Sequence, residues 1–160
     1  NGGRARSEGV ELEAVLRPTR GFVVRYNAAY TDARLLDDSP AVSARAGDPI
    51  PYVPKWSLGA DASYTFALTG TWDASFGVNY QLQDKRVSGF ALDARRFTLP
   101  SYDTVDLRAA LVSTDGLEFN AFIRNLGDSR GIANTDPAGD TIRAALIQPR
   151  TFGVGVRKSF

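Results

Sequence analysis

The chain has 160 residues, 43% of them hydrophobic and 23% charged, and its 19 Lys plus Arg against 18 Asp plus Glu leave a net charge of +1. That balance argues against nucleic acid, whose phosphates reward a concentrated basic excess, and it supplies no polybasic membrane address. With neither Cys nor His, disulfides, thiolate or imidazole metal sites and the Ser-His-Asp and Cys-His catalytic arrangements are excluded, so no catalytic residue, resident metal or cofactor is expected.

Asn1 in first place and the absence of Met point to a processed product or a fragment. Asn1 to Ser7 carries Arg4 and Arg6 with no apolar run behind them, which is not a signal peptide. No apolar run approaches the roughly 18 residues of a membrane helix, but a β-barrel crosses a bilayer on alternating strands that hydropathy plots miss.

Period two runs through the chain. Val10 to Leu16 and Phe22 to Tyr30 alternate weakly on either side of the short link Arg17 to Gly21. After the long link Arg34 to Pro54, Trp56 to Phe66 alternates throughout, with Trp56, Leu58, Ala60, Ala62, Tyr64 and Phe66 on one side. The link Ala67 to Thr71, with Gly70, reads as a hairpin turn into Trp72 to Leu82, which repeats the pattern with Trp72, Ala74, Phe76, Val78, Tyr80 and Leu82. Beyond the long link Asp84 to Pro100 come Thr104 to Leu111, the short link Ser113 to Gly116, and Leu117 to Ile123. The long link Gly127 to Gln148 then leads to Phe152 to Phe160. The best helical candidate, Ala138 to Ile147, is weak and interrupted by Gly139. About seven strands are predicted.

Every second link is long, and structureless loops beyond about 12 to 15 residues are uncommon in compact soluble domains. Short turns on one side, long loops on the other and strands of about 9 to 11 residues fit an outer-membrane barrel. Taking the long loops as the outer side, Tyr30, Trp56, Tyr80 and Phe152 lie near that rim, with Phe22, Phe66, Trp72, Phe119 and Phe160 near the other. Two such belts suit a bilayer's interfaces; aromatics capping a β-sandwich core are the alternative.

Several segments resemble the C-terminal barrel region of TonB-dependent outer-membrane receptors, the siderophore receptors in particular. Gly9-Val10-Glu11-Leu12-Glu13 resembles the family's Gly-apolar-Glu-apolar-Glu strand, and Pro51-Tyr52-Val53-Pro54-Lys55-Trp56 its proline-marked re-entry from an outer loop. Leu99 to Arg108 is similar to its Pro-x-Tyr-x-x-x-Asp-apolar strand entry, Asn125-Leu126 to the start of its Asn-Leu-Phe-Asp motif, and Pro149 to Phe160 to its closing strand. Gly127 stands where Phe is usual, and Lys158 where an aromatic is usual, so a lipid-facing Lys158 must snorkel.

The resemblance implies an all-β, antiparallel, up-and-down transmembrane barrel, of which residues 1–160 are the C-terminal part, with plug domain and earlier strands absent. Seven strands cannot close alone, since plugged outer-membrane transporters have about 22. The implied partners are the TonB complex acting through the absent plug, the barrel-assembly machinery, outer-membrane lipid and a ferric siderophore or similar ligand, with nucleic acid excluded. The implied location is the outer membrane, and the implied chemistry is binding and energised gating rather than catalysis. A passive porin or adhesin barrel, an outer-membrane enzyme and a soluble β-sandwich binding module are the rivals.

Three groups of residues stand as candidate sites. Phe152, Val154, Val156 and Phe160 resemble the C-terminal barrel-assembly signal, while Phe160 also suits an interfacial belt. Arg25, Asn27, Asp61, Asp73, Asn79, Gln81, Asp106, Arg108, Glu118, Asn120 and Arg124 fall on the inward face, where they contact plug or substrate or simply form a hydrated wall. In the outer loops, Arg45, Tyr52, Arg86, Phe90, Arg95, Arg96 and Arg130 suit an anionic iron chelate through charge-assisted hydrogen bonds and stacking, beside the plainer reading of solvated loop side chains. Asp128, Asp136 and Asp140 do not have the spacing of a calcium loop.

Overall fold

The computed structural model describes residues 3–138 and 141–159. Strands form where the sequence alternates, beginning with β1 (Ala5–Leu16), β2 (Phe22–Leu35), β3 (Trp56–Ala67) and β4 (Trp72–Gln83). Two short strands, β5 (Arg86–Val87) and β6 (Thr98–Leu99), precede β7 (Tyr102–Ser113) and β8 (Leu117–Arg124). β9 (Ile132–Ala138) and β10 (Thr141–Leu146) precede β11 (Thr151–Lys158).

Seven strands join in the order β1-β2-β3-β4-β7-β8-β11, and every neighbouring pair is antiparallel. The fold is thus the expected up-and-down meander, with β1 and β11 at its edges; the sheet does not close among the described residues. Register keeps the faces chemically distinct, because side chains alternate with period two. On one face Tyr30 sits opposite Trp56, Val78 lies between Ala62 and Leu107, and Phe152 sits opposite Ile123. On the other, Gly59 lies between Asn27 and Gln81, Asn79 between Asp61 and Asp106, and Asn120 opposite Gly155. All eleven residues expected to face inward share that second face.

No second layer covers the apolar face among the described residues: Trp56 is 47% exposed, Phe76 57%, Val78 38% and Val154 88%. A sandwich would bury this face against another sheet, so the β-sandwich alternative is not what forms. Among the described residues the buried hydrophobic ones are Leu35, Ala44, Ala74 and Leu99, three of them at the long-loop end, so what conventional core exists lies beneath the long loops.

The short turns are tightly made. Gly116 takes φ +83° in the β7–β8 turn, a left-handed conformation that a Cβ would strain. Lys158, on the apolar face, does snorkel: its Nζ donates to the Asp115 backbone oxygen at 2.6 Å and lies 3.6 Å from the Asp115 carboxylate.

The long link Gly127 to Gln148 holds strands that the alternation did not predict: Ile132–Ala138 and Thr141–Leu146 pair as an antiparallel hairpin, across the stretch where Ala138 to Ile147 was only a weak helical candidate. Most of its side chains are exposed on both faces, with Thr135 buried and Ile132 half-buried, so it carries no regular apolar alternation. β1 and β2 also run past the expected bounds, pairing to Ala5 and Leu35. Asn1, Gly139, Asp140 and Phe160 lie outside the described residues.

Candidate functional site

The site candidate is the long-loop end of the sheet, where three connections meet. The first, residues 36–55, turns at Pro40–Val42, a short 3-10 helix, and carries Asp48, whose carboxylate accepts from the backbone N–H of Arg45 (2.9 Å) and of Ala91 in the second connection (3.0 Å). These two N–H donors hold the Asp48 carboxyl below the usual carboxylate range, outweighing the opposing effect of burial. Further backbone bonds run between the same connections: Leu92 N to Ser43 O (3.1 Å) and Tyr52 N to Val87 O (2.9 Å).

The third connection hangs from the other two. Tyr52 donates its hydroxyl to the Thr135 backbone oxygen (3.1 Å) and lies 2.8 Å from the Thr135 hydroxyl. Arg86, only 5% exposed, donates through Nη2 to the Ile132 and Ala133 carbonyls at 2.7 and 3.0 Å, and its guanidinium carbon lies 5.6 Å from the Tyr102 ring centre. Tyr52 holds φ +63°, unusual for an aromatic, so the backbone is bent to present this side chain to the hairpin.

Asn125 organises the far end of the third connection. Its Nδ2 donates to the Ser129 and Gln148 carbonyls, both at 2.9 Å, while its Oδ1 accepts from Ser129 N at 2.9 Å. Its own backbone N–H goes to Asp106 Oδ1 at 2.8 Å, so β7, β8 and the approach to β11 converge on one buried amide.

The seven loop residues proposed from sequence therefore separate. Tyr52 and Arg86 converge on the β9–β10 hairpin, but as ties between loops. Phe90 is half-buried and accepts a backbone bond from Asp93, while Arg45 contributes its backbone to Asp48 and keeps its side chain exposed. Arg95 and Arg96 are exposed, with their backbone N–H groups bonded to Asp93. Arg130 is exposed, 4.0 Å from Asp128. Phe152, Val154 and Val156 line the apolar face of edge strand β11; the fourth proposed signal residue, Phe160, lies outside the described residues.

Two features of the inner wall complete the geometry. Asp61 bridges Arg108 (2.7 Å) and Arg25 (3.5 Å). Above that cluster, toward the outer loops, a hollow of about 340 Å³ is lined by Asn27, Ser57, Asn79, Gln81, Gln83 and Tyr102. Ser57, Gln83 and Tyr102 were not singled out from sequence, although Gln83 and Tyr102 merely carry the inward alternation one step further. A larger hollow of about 850 Å³ lies on the apolar face among Tyr64, Phe76, Leu107 and Phe152, where almost no polar group is offered to a solute.

The chain shares this architecture with known proteins. The sequence pattern of the family described as TonB dependent receptor-like, beta-barrel, matches residues 1–126. The structure superposes on the ferric yersiniabactin uptake receptor of Yersinia pestis with a TM-score of 0.84 and 22% identity, over 100% of this chain and 24% of that one. The ferric preacinetobactin receptor of Acinetobacter baumannii gives 0.77 and 19% identity, over 95% and 22%. The closed form of the ferric-catecholate import receptor of E. coli K12 gives 0.75 and 21% identity, over 99% and 21%. The chain spans about a quarter of the length of these structures. No curated protein matches it.

Proposed function

This chain belongs to the TonB-dependent receptor-like β-barrel family, and from that premise we propose that it is part of an outer-membrane receptor that imports a ferric siderophore or similar scarce ligand. In this reading residues 1–160 form the C-terminal part of the barrel, and polypeptide outside this sequence supplies the plug and the earlier strands. Outer loops capture ligand, and energy arrives from the TonB complex through the plug. The chemistry is recognition and gating, with no bond of the ligand made or broken. β11, with Phe152, Val154, Val156 and Phe160, serves as the strand read by the barrel-assembly machinery.

The observation that carries the proposal is the wide, uncovered apolar face of a sheet whose reverse is polar, with every elaborated loop at one end. In water such a face costs about 25 cal/mol for each Å² left exposed; in lipid the cost vanishes. The receptors that the fold matches are named for ferric yersiniabactin, ferric preacinetobactin and ferric catecholates, which supports an iron chelate as the cargo class.

The test uses the full-length protein. It should enter the outer-membrane fraction, require detergent for extraction, bind a ferric chelate and drive uptake that stops when TonB is removed. Full-length protein that is soluble without detergent would overturn the location; failure to bind any ferric chelate would overturn the cargo.

A further inference from the structure

The hollow on the inner wall has a chemistry that the loop arginines do not share. No charged residue lines it: beside Leu58, Gly59 and Leu82, the residues Asn27, Ser57, Asn79, Gln81, Gln83 and Tyr102 offer amides and hydroxyls. It exists because Gly59 sits in its floor, where a Cβ would meet the Asn27 amide oxygen at 2.3 Å. Gln81 donates to Asn79 Oδ1 at 3.1 Å, and Tyr102 donates to Gln83 Oε1 at 2.6 Å. These bonds leave the Asn79 and Gln83 amino groups, the Gln81 carbonyl and the whole Asn27 amide without a protein partner among the described residues. Each primary amide carries two donors and an acceptor with two lone pairs, so the hollow is rich in both polarities whichever way the amides point.

No cation stands on the lining of the hollow. Arg25 and Arg108 share Asp61 lower on the wall, and Arg86, on the far side of the lining at the Tyr102 ring, gives Nη2 to the Ile132 and Ala133 carbonyls and keeps a buried Nη1 without a partner among the described residues. An anion entering the hollow would shed water and meet no charged side chain on its lining, which is costly; an uncharged amide or hydroxyl would exchange water bonds for protein bonds at little loss.

We propose that the hollow formed by Asn27, Asn79, Gln81, Gln83 and Tyr102 is a subsite for an uncharged, amide- or hydroxyl-rich part of the imported ligand, and not for an anionic iron-binding pole. This rests on the receptor reading above and assigns the substrate chemistry of that site.

The experiment measures binding of three probes to detergent-solubilised full-length receptor: a neutral ferric trihydroxamate, a trianionic ferric tris-catecholate and a neutral malto-oligosaccharide. A neutral probe should bind, and Gln81→Ala and Gln83→Ala should each weaken it by about three- to tenfold, the worth of one lost hydrogen bond. Unchanged migration of unheated samples on a denaturing gel checks that the variants still fold. Binding of the tris-catecholate alone, binding of no neutral probe, or neutral binding indifferent to both substitutions would overturn the assignment. Amide-dependent binding of the oligosaccharide with no ferric chelate bound would refute the iron cargo and uphold the subsite.

Discussion

Arg108 on β7 reaches Asp61 on β3 by lying across the intervening strand β4 at Gly77, with Nη2 2.7 Å from the carboxylate. A Cβ on Gly77 would meet the guanidinium carbon at 2.5 Å, so the missing side chain is what opens this path. Both partners are reached by water, Arg108 47% and Asp61 20% exposed, which keeps the pair's worth to about 1 kcal/mol or less. Gly77→Ala should therefore destabilise modestly, and its effect should shrink when Asp61→Asn is already present. Urea unfolding of the four members of that cycle, on the full-length protein in vesicles, measures the coupling; strict additivity would show that Gly77 does not act through the Arg108–Asp61 pair.

Neighbouring positions on β4 should respond oppositely to the same charge. Val78 faces lipid in the proposed setting and Asn79 faces the polar interior. Val78→Arg should cost about 2 to 4 kcal/mol at mid-bilayer, whereas Asn79→Arg should cost under about 1 kcal/mol. Equal costs in the same vesicle unfolding assay would contradict the orientation of the sheet.

Asn125→Asp should be worse than its near-isosteric shape suggests. The change replaces two donors with acceptors that face the Ser129 and Gln148 carbonyls, 2.9 Å away, and sets a second carboxylate beside Asp106. A loss of about 2 to 3 kcal/mol is expected, and hydrogen exchange should quicken first at Ser129 and Leu126.

The Asp48 tie should be acid-labile. Its carboxyl is depressed in the folded protein by the Arg45 and Ala91 N–H groups, so its stabilisation is fully present above the unfolded value of about 3.9 and drains away as pH falls through the lower, folded one. Exchange at the Arg45 and Ala91 amides, corrected for the intrinsic pH effect, should rise steeply below that range. Asp48→Asn should abolish the pH dependence while leaving an acceptor in place.

Removing Arg86 should loosen one hairpin and spare the sheet. Arg86→Met leaves the Ile132 and Ala133 carbonyls without their donor, and exchange across β9 and β10 should accelerate by about tenfold with β3 and β4 unaffected.

The sheet was legible in the sequence because one of its faces is apolar at every second residue. Trp56 to Phe66 and Trp72 to Leu82 gave both their strands and the pairing between them, and the inward residues followed from the same alternation. The N-terminal part of β1 and the β9–β10 hairpin were not legible, since strands wetted on both faces carry no such signal and Pro137 argues locally against a strand. The roles of Tyr52 and Arg86 were hidden for a different reason. Arg and Tyr in a loop suit a ligand as well as a carbonyl, and the partners that decide between them stand 83 and 46 residues further along the chain.

Because Thr135 answers to Tyr52 while Ile132 and Ala133 answer to Arg86, the three long connections cannot diversify one at a time. A substitution that reshapes residues 132–135 is felt at once in two distant loops. Change in these three loops is thus expected to come through concerted substitutions.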